Sequence, residues 1–318
     1  MSKKKIWLMI ASLLLLAGAV IFVVVMSIYQ WDFTKLSTVK YETNTHEVVE
    51  TFNDISIETD TADIIFTPSQ EDKCEVVCVE EEKMKHTVSV QNGTLTVQVV
   101  DEKKWHERIG ISFGRTSITV YLPQNEYNTL TVKESTGYVD IAKEFTFASV
   151  NVTTSTGAVK CYASVSGTLK IKTSTGDVQV KSTSVGALDL SVSTGRITVE
   201  DVVCVEDTSI GVSTGKTYVK NLTCKNLIST GNTGDVSLKG VVAQQKFSIE
   251  RSTGDVHFDG SDAAEIVVQT DTGNITGRLL TGKSFDATTD TGSVNVPSTV
   301  GGRCKLTTDT GNITITVG

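Results

Sequence analysis

The tightest constraint on this 318-residue chain is a glycine that returns every 19 or 20 residues, at Gly137, Gly157, Gly176, Gly195, Gly215, Gly234, Gly254, Gly273, Gly292 and Gly311. Each follows a threonine, and that threonine follows Ser, Asn or Asp. An internal repeat of this length fixes the architecture before any local propensity does. Apolar residues fall seven and five positions before the glycine (Val150 and Val152, Leu169 and Ile171, Phe247 and Ile249) and two and four after it (Val178 and Val180, Ile197 and Val199, Val236 and Leu238). Alternation at period two predicts a strand on each side of the Thr-Gly step. A further apolar position nine after the glycine, filled by Val185, Cys204 and Cys224, predicts a short third side.

The glycine takes backbone angles closed to other residues. The Ser, Asn or Asp two before it is expected to hydrogen-bond the local backbone as a turn. A 19-residue coil cannot bury its own apolar face, so coils must stack, pairing strand on strand at ~4.8 Å. Ten of them make a rod of roughly 50 Å. The fold class expected is all-β, a parallel β-solenoid of the β-helix or β-roll kind. Two antiparallel sheets built from 19-residue hairpins are the alternative, but a near-identical frame favours stacking in register.

Ahead of the repeat, Ser2-Lys3-Lys4-Lys5 precedes an uncharged run from Ile6 to Ile28. As a helix that run is about 35 Å long, enough to cross a bilayer. The lysines mark the cytoplasmic side. The division expected is a cytoplasmic tail at 1–5, a transmembrane anchor at 6–28, a polar juxtamembrane stalk at 29–51 and the solenoid at 52–318. The single-pass anchor would put the C-terminal domain outside the cell. A cleaved signal peptide ending near Ala17-Gly18-Ala19 is the rival, but it would leave Val20 to Val25 as an apolar new terminus.

Ile55, Ile57, Ile64 and Phe66 flank Thr61-Ala62 at the repeat's own offsets, a degenerate first coil with Ala62 where the glycine should be. The period is then interrupted by an insertion at about 69–117. Cys74 to Glu80, His86 to Gln91 and Thr94 to Val100 read as strands, the last two joined across Asn92-Gly93, a strong hairpin signal. Ile118 to Leu122 is a further strand, ended by Pro123. In the charged loop Asp101 to Arg108, the ring of Trp105 is expected to lie back on the hairpin.

A degenerate strand pair, a hairpin insertion, an Ile-Thr-Val-Tyr-Leu-Pro strand and then Ser-Thr-Gly-Asp-Val coils resemble the bacterial family of extracellular β-strand-repeat domains known as "putative adhesins". The resemblance covers about residues 50 to 318. It implies a membrane-linked surface protein without shared catalytic residues and, for some relatives, a role in responses to envelope stress.

The chain carries 29 basic and 37 acidic residues, a net charge of −8. Nucleic-acid binding needs a basic face, and this balance argues against it. Of the six cysteines, Cys161, Cys204, Cys224 and Cys304 replace inward aliphatic residues and read as buried thiols. Cys204 and Cys224 should be neighbours on adjacent coils, near enough for a disulfide, although in-register parallel neighbours seldom aim their sulfurs correctly.

Asp271-Thr272-Gly273, Asp290-Thr291-Gly292 and Asp309-Thr310-Gly311 spell the aspartic-protease signature, yet that chemistry needs two carboxylates face to face. Here the aspartates replace serine in one repeat frame, on successive coils of one side. Turned outward they suit turn capping, and as a weaker reading Asp271, Asp290 and Asp309 form a Ca²⁺ site. The histidines His46, His86, His106 and His257 show no ligand spacing. No catalytic residue and no cofactor is expected.

These features predict a non-enzymatic binding or adhesion scaffold at the cell surface, its ligand or membrane partner unspecified. Envelope-stress sensing through a membrane partner is the alternative, and a polysaccharide-acting enzyme the weaker one. Partner contact is also expected at the C-terminus, where an open last coil ending at Gly318 would present unpaired strand edges to a second copy.

Overall fold

The computed structural model describes residues 3–33, 37, 39–71, 73–105 and 114–318. His106, Glu107 and Arg108 of the charged loop, residues 34–36 and 38 of the expected stalk, and the first two residues of the tail lie outside this set. A helix, α1 (Lys3–Ile28), opens the chain; it is long and apolar enough to cross a membrane.

Beyond it the strands pair with the period of the sequence. Val150 lies on Leu169, Val152 on Ile171, and Val178 on Ile197, each pair parallel and one coil apart. Equivalent inward residues therefore meet one another, and one continuous apolar core runs the length of the parallel β-solenoid. Each fully buried Val, Ile, Leu or Phe contributes about 1.5–3 kcal/mol over leaving it exposed. The third side exists. Ser182, Asp201, Asn221, Gly240 and Gly260 share a left-handed conformation, with φ from 50° to 62°, and form a second corner; beyond it Val185 lies on Cys204.

At the first corner all ten repeat glycines have φ between 129° and 156°. A Cβ on any of them would lie 1.5–2.2 Å from a carbonyl oxygen of the adjoining coil. Glycine is thus required twice, by its own backbone and by its neighbour's. Amide to carbonyl bonds of 2.7–3.1 Å run through this column from Ala62 to Gly311, each donated to the threonine carbonyl of the next coil.

The side-chain bonds at the corner come from other positions than the one expected. The residue after the glycine builds a ladder: Asp177 accepts from the Arg196 amide at 2.8 Å, Asp255 from Asn274 at 2.7 Å, and Asn274 from Asn312 at 2.9 Å. The residue three before it, which points inward, closes the other side. Thr270, Thr308 and Thr289 donate to the carbonyls of Gly254, Gly273 and Gly311 at 3.3, 2.9 and 2.9 Å. An inward hydroxyl can reach the neighbouring coil, whereas the outward residue two before the glycine faces water.

Chain order and spatial order differ at both ends. The last segment, Gly302–Thr310 with Ile313–Val317, lies between the coil that precedes it by two and the coil that precedes it by one. The outermost coil is therefore Lys283–Thr291 with Val294–Asn295, which corrects the expectation that the chain's final coil is the open one. Every coil carries the same frame, so the frame cannot encode order. What locks the exchange is local. A Cβ on Gly302 would sit 2.0 Å from the Ala264 carbonyl oxygen, so only glycine fits there, and buried Lys283 binds Asp262 at 2.6 Å across the crossover.

The N-terminal end does the same. Thr94–Asp101 and Ser117–Leu122, both from the inserted region, form a coil outside Asp54–Thr61 and Asp63–Pro68. Antiparallel strands then close it: Met84–Gln91 on the first of that pair, Cys74–Glu81 on the second, and Tyr41–Val48 over Cys74–Glu81. Residues 41–48, expected as stalk, are thus part of the sheet. Their polar sequence hides it, because this outer strand buries little and pairs through its backbone. The Asn92-Gly93 turn has both φ positive, 51° and 76°, as the hairpin signal requires.

Candidate functional site

Polar side chains inside an apolar core are the informative residues here. Most inward positions three before the glycine hold Thr or Val, and two hold charges. Arg251 is 1% exposed. Its Nη2 donates to Thr217 and Ser229 at 3.1 and 2.9 Å, and Nη1 to its neighbour's carbonyl at 2.8 Å. Burial alone brings its guanidinium down to about 10. Gly231 on the adjoining coil leaves it room; a Cβ there would sit 3.1 Å from Nη1.

Glu134 is 6% exposed, and among the described residues neither carboxylate oxygen has a hydrogen bond of full geometry, although Thr154 lies beside it and eases its ionisation. Burial, helped by the charge of Asp63, raises its carboxyl to about 7.

In register beside Glu134 lies Thr59, where a buried polar chain begins and runs into the cap. Thr59 Oγ1 is 2.9 Å from His86 Nε2, His86 Nδ1 is 2.7 Å from Glu80 Oε2, and Asn44 Nδ2 donates to Glu80 Oε1 at 2.7 Å. The strands explain the convergence. Cys74, Val76, Cys78 and Glu80 alternate inward along Cys74–Glu81, and His86 points inward from the strand after the turn. Cys78, Glu80 and His86 consequently bring a sulfur, a carboxylate oxygen and a ring nitrogen within 4.8 Å of one another. All three are buried, and burial, with Glu80 beside it, pushes the Cys78 thiol up to about 12.

His86 thus has Glu80 and Cys78 beside it, neighbours that the spacing of the histidines does not indicate. The signal was the parity of the strand, which gives Glu80 the same face as two cysteines and a valine. His86 and Thr59 also line a cavity of about 540 Å³ between the cap and the first coil, with Asp63, Met84, Lys103 and Arg115 around it. A second hollow, about 500 Å³, lies on the outer face of the coils between Lys181, Arg196, Lys216 and Tyr218. Around it ion pairs cross from coil to coil, Glu200 holding both Lys220 and Lys181 at 2.5 and 2.9 Å. In water these pairs are worth at most about 1 kcal/mol each.

Asp271, Asp290 and Asp309 stand exposed on one corner, but in the spatial order 271, 309, 290. Among the described residues they are not part of a converging group of possible metal ligands. All six cysteines are buried free thiols, Cys204 and Cys224 included. Trp105 is 77% exposed, so its ring does not lie back on the hairpin.

Two stretches, 52–207 and 205–318, match the sequence profile of the family described as Toastrack DUF4097. A solved structure shares the fold at low identity. A "putative adhesin" from Parabacteroides merdae is 15% identical with a TM-score of 0.51, covering 76% of this chain and 97% of its own. A "putative lipid binding protein" from Parabacteroides distasonis is 16% identical, TM-score 0.48, covering 76% and 95%. A second "putative adhesin", from the latter organism, is 13% identical, TM-score 0.47, covering 76% and 98%. Among curated proteins none matches the chain.

Proposed function

Since the chain belongs to the Toastrack DUF4097 family, we propose that it is a membrane-anchored extracellular scaffold that binds a surface or envelope ligand without chemical turnover. The observation that carries this reading is the succession of an apolar helix and a rigid solenoid. Residues 6–28 hold the chain in the membrane with residues 1–5 in the cytoplasm. The solenoid then presents the cap and the coil faces outward.

The stacked hydrogen-bond column and continuous core suit a rigid display surface, with two hollows whose walls mix cations, acids and a tyrosine. Such mixed walls suit polar ligands better than apolar ones.

Two measurements test the reading. Protease added to intact cells should remove the solenoid without lysis; full protection would reverse the topology. Cross-linking on intact cells should then recover the ligand. Wall polymer or foreign surface material would support adhesion. Specific membrane proteins as the sole products would replace it with a sensing role through a partner.

A further inference from the structure

We propose that Cys78, Glu80 and His86 form a binding site for one divalent transition-metal ion of the zinc class, set in the cap independently of any ligand on the outer surface. The donor set is the first argument. A thiolate, a carboxylate and an imidazole nitrogen are the ligand types zinc prefers, and their atoms already lie within 4.8 Å of one another. Two anionic ligands and one neutral ligand cancel the charge of a divalent ion. That matters in a site where all three side chains are buried and net charge is costly.

The second argument is the surrounding hydrogen bonding. A metal-binding histidine normally uses its other nitrogen to hold an outer partner, and ligating carboxylates are held likewise. Here His86 Nε2 is engaged by Thr59 at 2.9 Å and Glu80 Oε1 by Asn44 at 2.7 Å. Nδ1 and Oε2 face each other at 2.7 Å beside the Cys78 sulfur, and Oε2 is held in place by the His86 backbone amide, which donates to it at 2.6 Å. The ligands sit on two strands that meet only at Glu81 and Met84 and are each held by the coil beneath, Cys78 opposite Ile118 and His86 opposite Val99. His86, but neither Cys78 nor Glu80, borders the 540 Å³ cavity, so the hollow lies one imidazole ring away from the site.

Binding is a proton exchange. The thiol proton of Cys78 leaves to solvent as the ion enters. Apparent affinity therefore rises with pH.

The test uses the full chain in detergent, stripped of metal with a chelator and titrated with Cd²⁺. One equivalent should produce a thiolate-to-metal charge-transfer band in the ultraviolet. That band should vanish in Cys78→Ser and His86→Gln and persist in the Cys204→Ser/Cys224→Ser double variant. Zn²⁺ should raise the melting temperature of the parent, and less so in Glu80→Gln. If Cys78→Ser fails to fold, His86→Gln decides. No band in the folded parent, or a band that follows Cys204 and Cys224, overturns the site.

Discussion

The two ends of this solenoid solve one problem in opposite ways. A stack of parallel coils must stop somewhere, and the last coil leaves a row of unpaired backbone groups and an uncovered apolar face. At the N-terminal end, antiparallel strands lie over the outermost coil and shield its inward residues, leaving Leu95, Val97, Ile118 and Val120 fully buried. At the other end nothing among the described residues lies beyond Lys283–Thr291. The inward positions there hold Phe285, Ala287 and Val296, each only partly buried, and Val294 is 43% exposed. Both ends exchange chain order, but only one adds a lid. The cap brings buried Glu80 and His86 together, while the open end replaces bulk with Ala287 and Thr289.

In a one-dimensional stack, damage should matter according to what lies outside it. The same substitution at equivalent corners tests this most severely. Gly137→Ala puts a Cβ 2.2 Å from the Ala62 carbonyl, and Gly292→Ala puts one 2.1 Å from the Gly311 carbonyl. The clash and the backbone strain are alike. At Gly137 the cap and first coil must separate from the rest, so a loss of about 4 kcal/mol or more is expected in chemical denaturation. At Gly292 only the outer coil need detach, and about 1 kcal/mol should be lost. Equal losses at both sites would show that the open end folds as one unit with the rest.

Acidity should separate the ends next. Glu134, beside the cap, has its carboxyl raised by burial from 4.5 to about 7. A raised acid pKa means the folded state holds the proton more tightly. The resulting stability is present below pH 4.5 and is lost as pH rises through 7. The magnitude is on the order of 3 kcal/mol. Glu134→Gln should remove this slope and, at pH 8, denature later than the parent. Thr289 and Thr308 occupy the same repeat position near the open end and donate to glycine carbonyls, so Thr289→Val should leave the pH dependence unchanged. A parent whose slope survives Glu134→Gln would place the titrating group elsewhere.

The contrast between the ends also marks what the amino-acid pattern could and could not convey. Coil period, strand parity, the Asn92-Gly93 hairpin and the inward cysteines were all legible, because each is a local rule repeated along the chain. The exchange of coil order was not. It depends on Gly302 and on the Lys283–Asp262 pair, single residues that mean nothing until distant strands meet. The strand Tyr41–Val48 is hidden in the sequence for a related reason: its pairing is through backbone, and its side chains are mostly polar on both faces. At the candidate site half the information was present. Parity gave Glu80 an inward face, but that His86 meets it across the turn required the two strands to diverge onto different sides of the coil, His86 pairing with Val99 and Cys78 with Ile118.

The gentlest probe leaves the chain unaltered. Amide exchange of the native protein should be slow throughout Cys74–Glu81, whose strand is paired on both sides within the cap, and faster at every second amide of Lys283–Thr291, whose outer edge has no described partner. The difference measures local opening rather than global unfolding, so it should persist under conditions where both ends are folded. Concentration then distinguishes two meanings of an open edge. If a second copy pairs with it, protection of Lys283–Thr291 should grow as protein concentration rises, with a matching increase in sedimentation rate. Exchange that is fast and independent of concentration would identify a frayed terminus, and equally slow exchange at the two ends would dissolve the distinction between capped and open. Either departure would be informative about the cap itself, since the parallel coils at the two ends are built from the same frame and differ chiefly in what covers them.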